Sequence, residues 1–326
     1  MIVETDFFLS DDVLYAFLKG TKYQLYNFWP VSVEDAPVRL LFDEIRKLPE
    51  NNIVKAFHNN ELIALLVFEN LLWDTSHFGF KCVRIRYILT RKNVKKDILA
   101  ETLKKCLVAF RKHCITNNIK FVSADIDSQE QTTSLALQQA GFRYILTWVN
   151  GFIKEPHQDD YATKGSNVSE IRPNEVKPLS NLAEKHYFKG GRFYSDPGFD
   201  KRKVDKLYGN LVKSSFENNE IMLVYRIHDE PVGLFICKNI VTYKLFSGLR
   251  VAPLRFLVID PRYRQKKIAQ DLFAKTIGYL SDKSDMITTG LEVHNLPSLN
   301  LHIKFGFIFN YTHTVYHWWN QDFENN

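Results

Sequence analysis

Apolar residues recur along this chain with two periods. Alternating or continuous apolar runs predict strands at Ile53–Phe57, Leu62–Phe68, Val83–Leu89 and Phe121–Ile126. Between the last two, from Lys96 to Asn117, Ile98, Leu99, Leu103, Leu107 and Phe110 share one face at helical spacing. The scheme repeats further on, with strands at Ile221–Ile227, Val232–Asn239 and Leu254–Ile259, a helix at Ile268–Ser281, and a strand at Thr289–His294. Between the two sets, from Lys154 to Ser169, the sequence is polar and aperiodic, which predicts a linker. Strands alternating with helices on both sides of it indicate an α/β (α+β) protein of two domains, residues 1–155 and 169–326.

A repeat supports that division. Gly141-Phe142 and Gly306-Phe307 lie 165 residues apart (positions 141 and 306), each after a strand and a short helix. Each also precedes an aromatic-rich strand, RYILTWVNGF in one case and IFNYTHTVYHWW in the other. The shared order of elements makes duplication the simplest account.

Composition narrows the class. The chain is globular, with 45% hydrophobic residues, and its longest apolar runs are far shorter than a membrane span. No basic leader precedes an apolar stretch at the start, so a cytoplasmic protein without membrane association is expected. Cys82, Cys106, Cys114 and Cys237 are scattered without CxxC spacing and are expected to be reduced and buried, with no metal site. The net charge of +6 comes without a basic tail or aromatic-interleaved stripe, so no nucleic-acid partner is expected.

The chemistry concentrates in LRFLVIDPRYRQKKIAQDLFAKTI, Leu254 to Ile277. A strand ends at Ile259, Asp260-Pro261 turns, and a basic segment enters a helix. Free backbone N–H groups and the positive end of the helix dipole suit that entrance to phosphate, and Arg262, Arg264, Lys266 and Lys267 add charge beside it.

This segment resembles the acetyl-coenzyme A motif of the GNAT acetyltransferase superfamily, V-x-P-x-Y-R-G-x-G-x-G/A. Ile259, Pro261, Tyr263, Arg264, Ile268 and Ala269 hold its register, while Gln265 and Lys267 stand where glycine is usual. The later LEVHNLPSLNLHIKFGF resembles the superfamily's closing motif through Asn295, Ser298, Leu301, Gly306 and Phe307. Two further segments, LLWDTSHFGFK (Leu71–Lys81) and KGGRFYSDPGFDKRKVDKLYGNLVKSSF (Lys189–Phe216), are similar to motifs of two-domain acetyltransferases of the TDP-fucosamine acetyltransferase type.

The resemblance implies tandem GNAT-like domains, each with a mixed, mostly antiparallel sheet flanked by helices. It implies acetyl-coenzyme A as acyl donor, with Leu257, Val258 and Ile259 facing pantetheine. Arg264, Gln265, Lys266, Lys267, Ile268 and Ala269 would hold the pyrophosphate, and Asn295 and Ser298 would border the pantetheine arm. His302 occupies the family's acid position, usually Tyr, with Tyr311 and Tyr316 as substitutes if it faces away. The implied acceptor is a small-molecule amine, more narrowly a nucleotide-linked 4-amino-dideoxy sugar of surface-glycan synthesis, contacted by Arg192, Tyr194 and Asp196. Glu292 and His294, expected on one strand face, are candidates to receive the amine proton. The first half lacks the Pro-x-Tyr-Arg segment, so one active site per chain is expected. A tandem aminoacyl transferase and a non-catalytic binding module remain alternatives, and the aromatic strands leave a homodimer open.

Overall fold

The computed structural model describes residues 2–4, 9–21, 29–31, 33–49, 52–156 and 167–320. The expected linker lies mostly outside these residues, although Val168 and Ser169 at its end begin a short strand. The chain divides into two compact units, Met1–Thr147 with Thr312–Asn326, and Trp148–Tyr311. Those bounds differ from 1–155 and 169–326 for a hydrogen-bonding reason. Residues 148–154 ladder onto a strand of the second unit, and residues 313–319 ladder onto a strand of the first.

The first unit contains β1 (Ile2–Glu4), α1 (Asp11–Lys19), α2 (Ala36–Arg46), β2 (Ile53–His58) and β3 (Glu61–Asn70). It continues through α3 (Leu72–Phe78), β4 (Cys82–Thr90), α4 (Lys96–Thr116), β5 (Phe121–Asp127), α5 (Gln131–Gln139) and the start of β6 (Arg143–Lys154). Strands β1 to β4 are antiparallel neighbours, and β4 pairs with β5 in parallel. The continuous apolar run of β3 is explained by covering on both faces. Ala64, Leu66 and Phe68 pack with Leu99, Leu103, Leu107 and Phe110 of α4, as the helical spacing predicts. Leu65 and Val67 pack instead with Leu14 and Leu18 of α1 and with Leu41 and Ile45 of α2.

The second unit contains β7 (Val168–Glu170), α6 (Val176–His186), α7 (Arg192–Ser195), α8 (Lys201–Glu217), β8 (Ile221–Ile227) and β9 (Glu230–Cys237). Then follow β10 (Val241–Tyr243), β11 (Leu249–Ile259), α9 (Ile268–Ser281), β12 (Met286–Glu292), α10 (Leu296–Lys304) and the start of β13 (Ile308–Trp319), whose residues from Thr312 onward belong to the first unit. Its sheet runs antiparallel through β7, β8, β9 and β11, joins β12 in parallel, and closes on residues 148–154 of β6. Ile268, Leu272, Phe273, Ile277 and Leu280 of α9 form its core with Val232, Phe235 and Ile287. A buried ion pair, Arg226 Nη2 to Glu175 Oε2 at 2.6 Å, fixes β7 through further bonds to Ser169 and the Glu170 carbonyl.

The fold is therefore α/β, with mixed and mostly antiparallel sheets flanked by helices. Both units repeat one arrangement, in which an antiparallel meander ends in a strand that pairs in parallel with the next after a helical crossover. All four cysteines are buried thiols. Among the described residues, no helix is long and apolar enough to cross a membrane, and no cluster of three or more His, Cys, Asp or Glu could hold a metal ion.

Candidate active site

The site begins where two strands part. β11 and β12 are in register only from Val251↔Met286 to Pro253↔Thr288. Pro253 carries no N–H for a ladder, and beyond it a bulge falls between Leu254 and Phe256. From there β11 continues paired to β9 as far as Ile259↔Gly233, while β12 continues paired to β6 as far as Glu292↔Trp148. The facing backbone edges of residues 254–259 and 289–292 thus border a cleft of about 660 Å³. That volume is ample for the reacting end of a coenzyme together with a small acceptor. Leu257, Val258 and Ile259 line it as expected, and Asn295 and Ser298 line it from α10.

The basic turn into α9 follows the end of β11. Asp260 opens the turn, its Oδ1 accepting the Arg262 N–H at 2.9 Å, and the Arg262 guanidinium holds its carboxyl below the usual range. Arg262 also reaches Glu230 at 2.9 Å, so its charge serves the turn. Gln265 and Lys267 adopt φ of 64° and 62°, the left-handed backbone that glycine takes most easily. The two departures from the family pattern therefore keep the backbone path that glycine gives. Lys267 caps α9 without a side-chain bond, so the first N–H groups of α9 are presented at its entrance. Arg264 and Ala269 line the cleft, and Arg264 Nη2 donates to the His186 carbonyl at 3.1 Å. Lys266 lies over the Tyr263 ring at 5.1 Å, and the Ile268 side chain is buried in the core, leaving its backbone for the loop.

His302 lines the cleft but is 6% exposed and packed edge-on against Phe273 and Phe307. Its Nδ1 must donate to the Ser298 carbonyl at 2.8 Å, so Nε2 accepts from Thr289 Oγ1 at 2.9 Å. Burial lowers its pKa to about 4, which keeps the ring neutral near pH 7. A neutral ring whose only N–H is given to a helix carbonyl does not fit the proton-donor role that the sequence position implied. Of the two substitutes, Tyr316 is buried in the first unit and bonded to Ser134, and Tyr311 does not line the cleft.

At the C-terminal end of β12 stands Glu292, 4% exposed, whose carboxyl pKa is raised by burial against opposing effects of its hydrogen bonds and of His294 and Arg192. β12 ends at Glu292, so His294 lies in the following turn and the two do not share a strand face, contrary to expectation. His294 Nε2 donates to the Gly190 carbonyl at 3.0 Å. Over this end lie Tyr187 and Phe256, stacked with centroids 4.8 Å apart. None of the expected acceptor residues lines the cleft. Asp196 is 1% exposed and accepts the Gly198 N–H at 2.9 Å; Tyr194 donates to Asp205 and stacks on Tyr208. Arg192 acts on the site through charge, opposing the rise in the Glu292 carboxyl. Trp148, Tyr187, Phe256 and Thr289 line the cleft and carried no motif signal, because they come from β6, the end of α6, β11 and β12, elements far apart in sequence.

The strand pair parts at a bulge, and the turn that follows β11 into α9 carries the segment that resembles the GNAT acetyl-coenzyme A motif. Residues 186–307 match the model of the acetyltransferase (GNAT) family. Over the whole chain the fold is similar to a GCN5-related N-acetyltransferase from Sphaerobacter thermophilus, with a TM-score of 0.61, 9% identity, and 98% and 95% of the two chains covered. It is also similar to a tandem GNAT protein from the clavulanic acid biosynthesis pathway, with a TM-score of 0.54, 11% identity and 95% of each chain covered. In sequence the chain is 18% identical over 264 residues to the spore coat polysaccharide biosynthesis protein SpsD of Bacillus subtilis (strain 168), covering 81% of this chain and 86% of that protein. The second unit carries a GNAT acetyltransferase domain, the tandem arrangement is GNAT-like, and the protein is an acyltransferase.

Proposed function

We propose that this protein moves the acetyl group of acetyl-coenzyme A to the amine of a nucleotide-linked (dTDP) 4-amino-dideoxy sugar in surface-glycan synthesis. Glu292 carries the reading: a buried carboxylate with a raised pKa, set at the open end of the cleft where the strand edges diverge. Support for the sugar comes from the motifs at Leu71–Lys81 and Lys189–Phe216 and from the polysaccharide role named for the Bacillus relative.

In this reading the pyrophosphate lies on the N–H groups of residues 265–269 beside Arg264, and the thioester lies along the free edge of Leu257–Ile259. The acceptor amine loses its proton to Glu292, either directly or through one water. The neutral nitrogen attacks the thioester carbonyl, an N–C bond forms as the C–S bond breaks, and the coenzyme thiolate leaves and takes up, through water, the second proton that the nitrogen gives up in becoming an amide. A carboxylate with a raised pKa suits this work better than an ordinary surface one. His302 has a positioning part: it holds Thr289 on β12 to the first turn of α10.

The test is thiol release from acetyl-coenzyme A, with mass analysis of the product, over nucleotide-linked amino sugars, free amino sugars, polyamines and peptide amines. The reading requires turnover to favour the nucleotide-linked amino sugars. A preference for peptide or polyamine acceptors would overturn it.

A further inference from the structure

The bulge that opens the cleft is held by an arginine, and the same device stands at the corresponding place in the first unit. In β11 the extra residue between Leu254↔Cys237 and Phe256↔Ile236 is Arg255. In β4 the extra residue between Ile85↔Phe68 and Tyr87↔Val67 is Arg86. Each bulge follows the segment in which its strand pairs in parallel with the next. Each arginine reaches acidic groups on neighbouring elements. Arg86 bonds Glu69 of β3 at 3.0 Å and Glu44 of α2 at 2.6 Å, and Arg255 bonds Glu220 and lies 3.4 Å from Ser215 Oγ of α8. The second oxygen of Glu220 is buried and has no hydrogen-bond partner among the described residues.

We propose that the Arg255–Glu220 pair is a positioning device that fixes the β11 bulge and so aims the free edge of residues 256–259 at the thioester. The inference rests on the acyl-transfer reading of the cleft, not on the identity of the acceptor. A bulge leaves one residue out of the ladder and turns the strand. A side chain tied at the bulge decides which way the strand turns. The first unit supplies a control within the same chain. Its bulge is locked as tightly, yet the gap beyond it is only about 30 Å³ and bordered by Arg86 and Tyr87 themselves. The lock in the first unit therefore serves the fold, while the lock in the second borders the site.

The test uses the full chain and the variants Arg255→Gln, Arg255→Lys, Glu220→Gln, the Arg255→Gln/Glu220→Gln double variant and Arg86→Gln. Amide exchange is followed by mass spectrometry in peptides spanning residues 254–259, and kcat and KM for acetyl-coenzyme A are measured separately. Either single loss of charge should speed exchange at 254–259 and leave β8 protected. A small displacement of reacting groups predicts a fall in kcat of about 10- to 100-fold, with KM for acetyl-coenzyme A within about threefold because the pyrophosphate loop is untouched. The double variant should be no worse than the singles, Arg255→Lys should recover much of kcat, and Arg86→Gln should lower stability without changing kcat or KM. Unchanged exchange at 254–259, or a KM rise that matches the kcat loss, overturns the proposal. If Arg255→Gln does not fold, Glu220→Gln keeps the buried side isosteric and gives the same two readouts. Exchange also answers if no acceptor supports turnover, so failure of the acetyl-transfer reading and failure of this one are separately visible.

Discussion

His302 Nδ1 donates to the Ser298 carbonyl oxygen at 2.8 Å, one turn back along the same helix. With Nε2 accepting from Thr289, the ring is a neutral strut between β12 and α10. The folded pKa of about 4 lies below the ordinary 6.5, so an unfolded chain binds a proton that the folded one refuses. This contribution is fully present above pH 6.5 and is lost as pH falls toward 4, to a maximum of about 3 kcal/mol. The His302→Gln variant should be less stable at pH 7 and should show a shallower loss of stability between pH 6.5 and 4. Denaturant melts across that range check it, and an undiminished acid slope in the variant would count against the neutral strut.

Gln265 and Lys267 sit at left-handed φ, where a β-branched side chain is strained. Replacing Gln265 by Val should weaken acetyl-coenzyme A binding by roughly tenfold, as about 1 kcal/mol or more of backbone strain is added at the anion loop. Gln265→Gly should bind at least as tightly as the natural chain. Calorimetry on the three proteins is sufficient, and equal affinity for the Val variant would mean that the loop path does not matter.

Gly191 leaves room that the site uses. A Cβ there would lie 3.1 Å from the Tyr208 hydroxyl and 3.3 Å from Glu292 Oε1. Gly191→Ala should therefore shift the Glu292 carboxylate, lowering kcat by about tenfold with a change in Tm of only a few degrees. Steady-state kinetics beside a thermal melt separates the two effects.

Arg226 and Glu175 form the most deeply buried ion pair among the described residues, at 7% and 5% side-chain exposure. Glu175 also accepts the Arg172 N–H at 2.7 Å, so one carboxylate serves a helix start and a strand edge. Replacing Arg226 by Met leaves that charge buried and unpaired and should cost about 3–5 kcal/mol. A denaturation midpoint close to the natural one would contradict this.

Much of the fold was legible because periodicity reports burial directly. The spacing of Ile98 to Phe110 and the runs at Leu62–Phe68 and Ile221–Ile227 correspond to α4, β3 and β8. Strand ends were less legible: β11 starts at Leu249 and runs through Pro253, and β12 stops at Glu292, which separates it from His294. The exchange of residues 148–154 and 313–319 between units left no trace in local pattern, since a strand's own sequence does not name its ladder partner. The site was half legible. The basic turn into α9 was legible through charge and motif, whereas Tyr187, Phe256 and Thr289 reach the cleft from the end of α6, from β11 and from β12, which no local pattern joins. Asp196 and Tyr194 hold the loop through internal hydrogen bonds, which the sequence could not distinguish from contact with a ligand, because a polar loop motif reads alike in both cases.

Glu292 gives the most direct measurement. Its carboxyl must be ionised to accept a proton, and burial raises its pKa, so kcat/KM for the acceptor should rise with pH through a pKa above the ordinary carboxylate value. In Glu292→Gln that limb should vanish and kcat/KM should fall by about 100-fold or more, while calorimetry shows acetyl-coenzyme A bound as before. An acetylation rate and pH profile unchanged in Glu292→Gln would contradict the assignment of the cleft's chemistry to this residue.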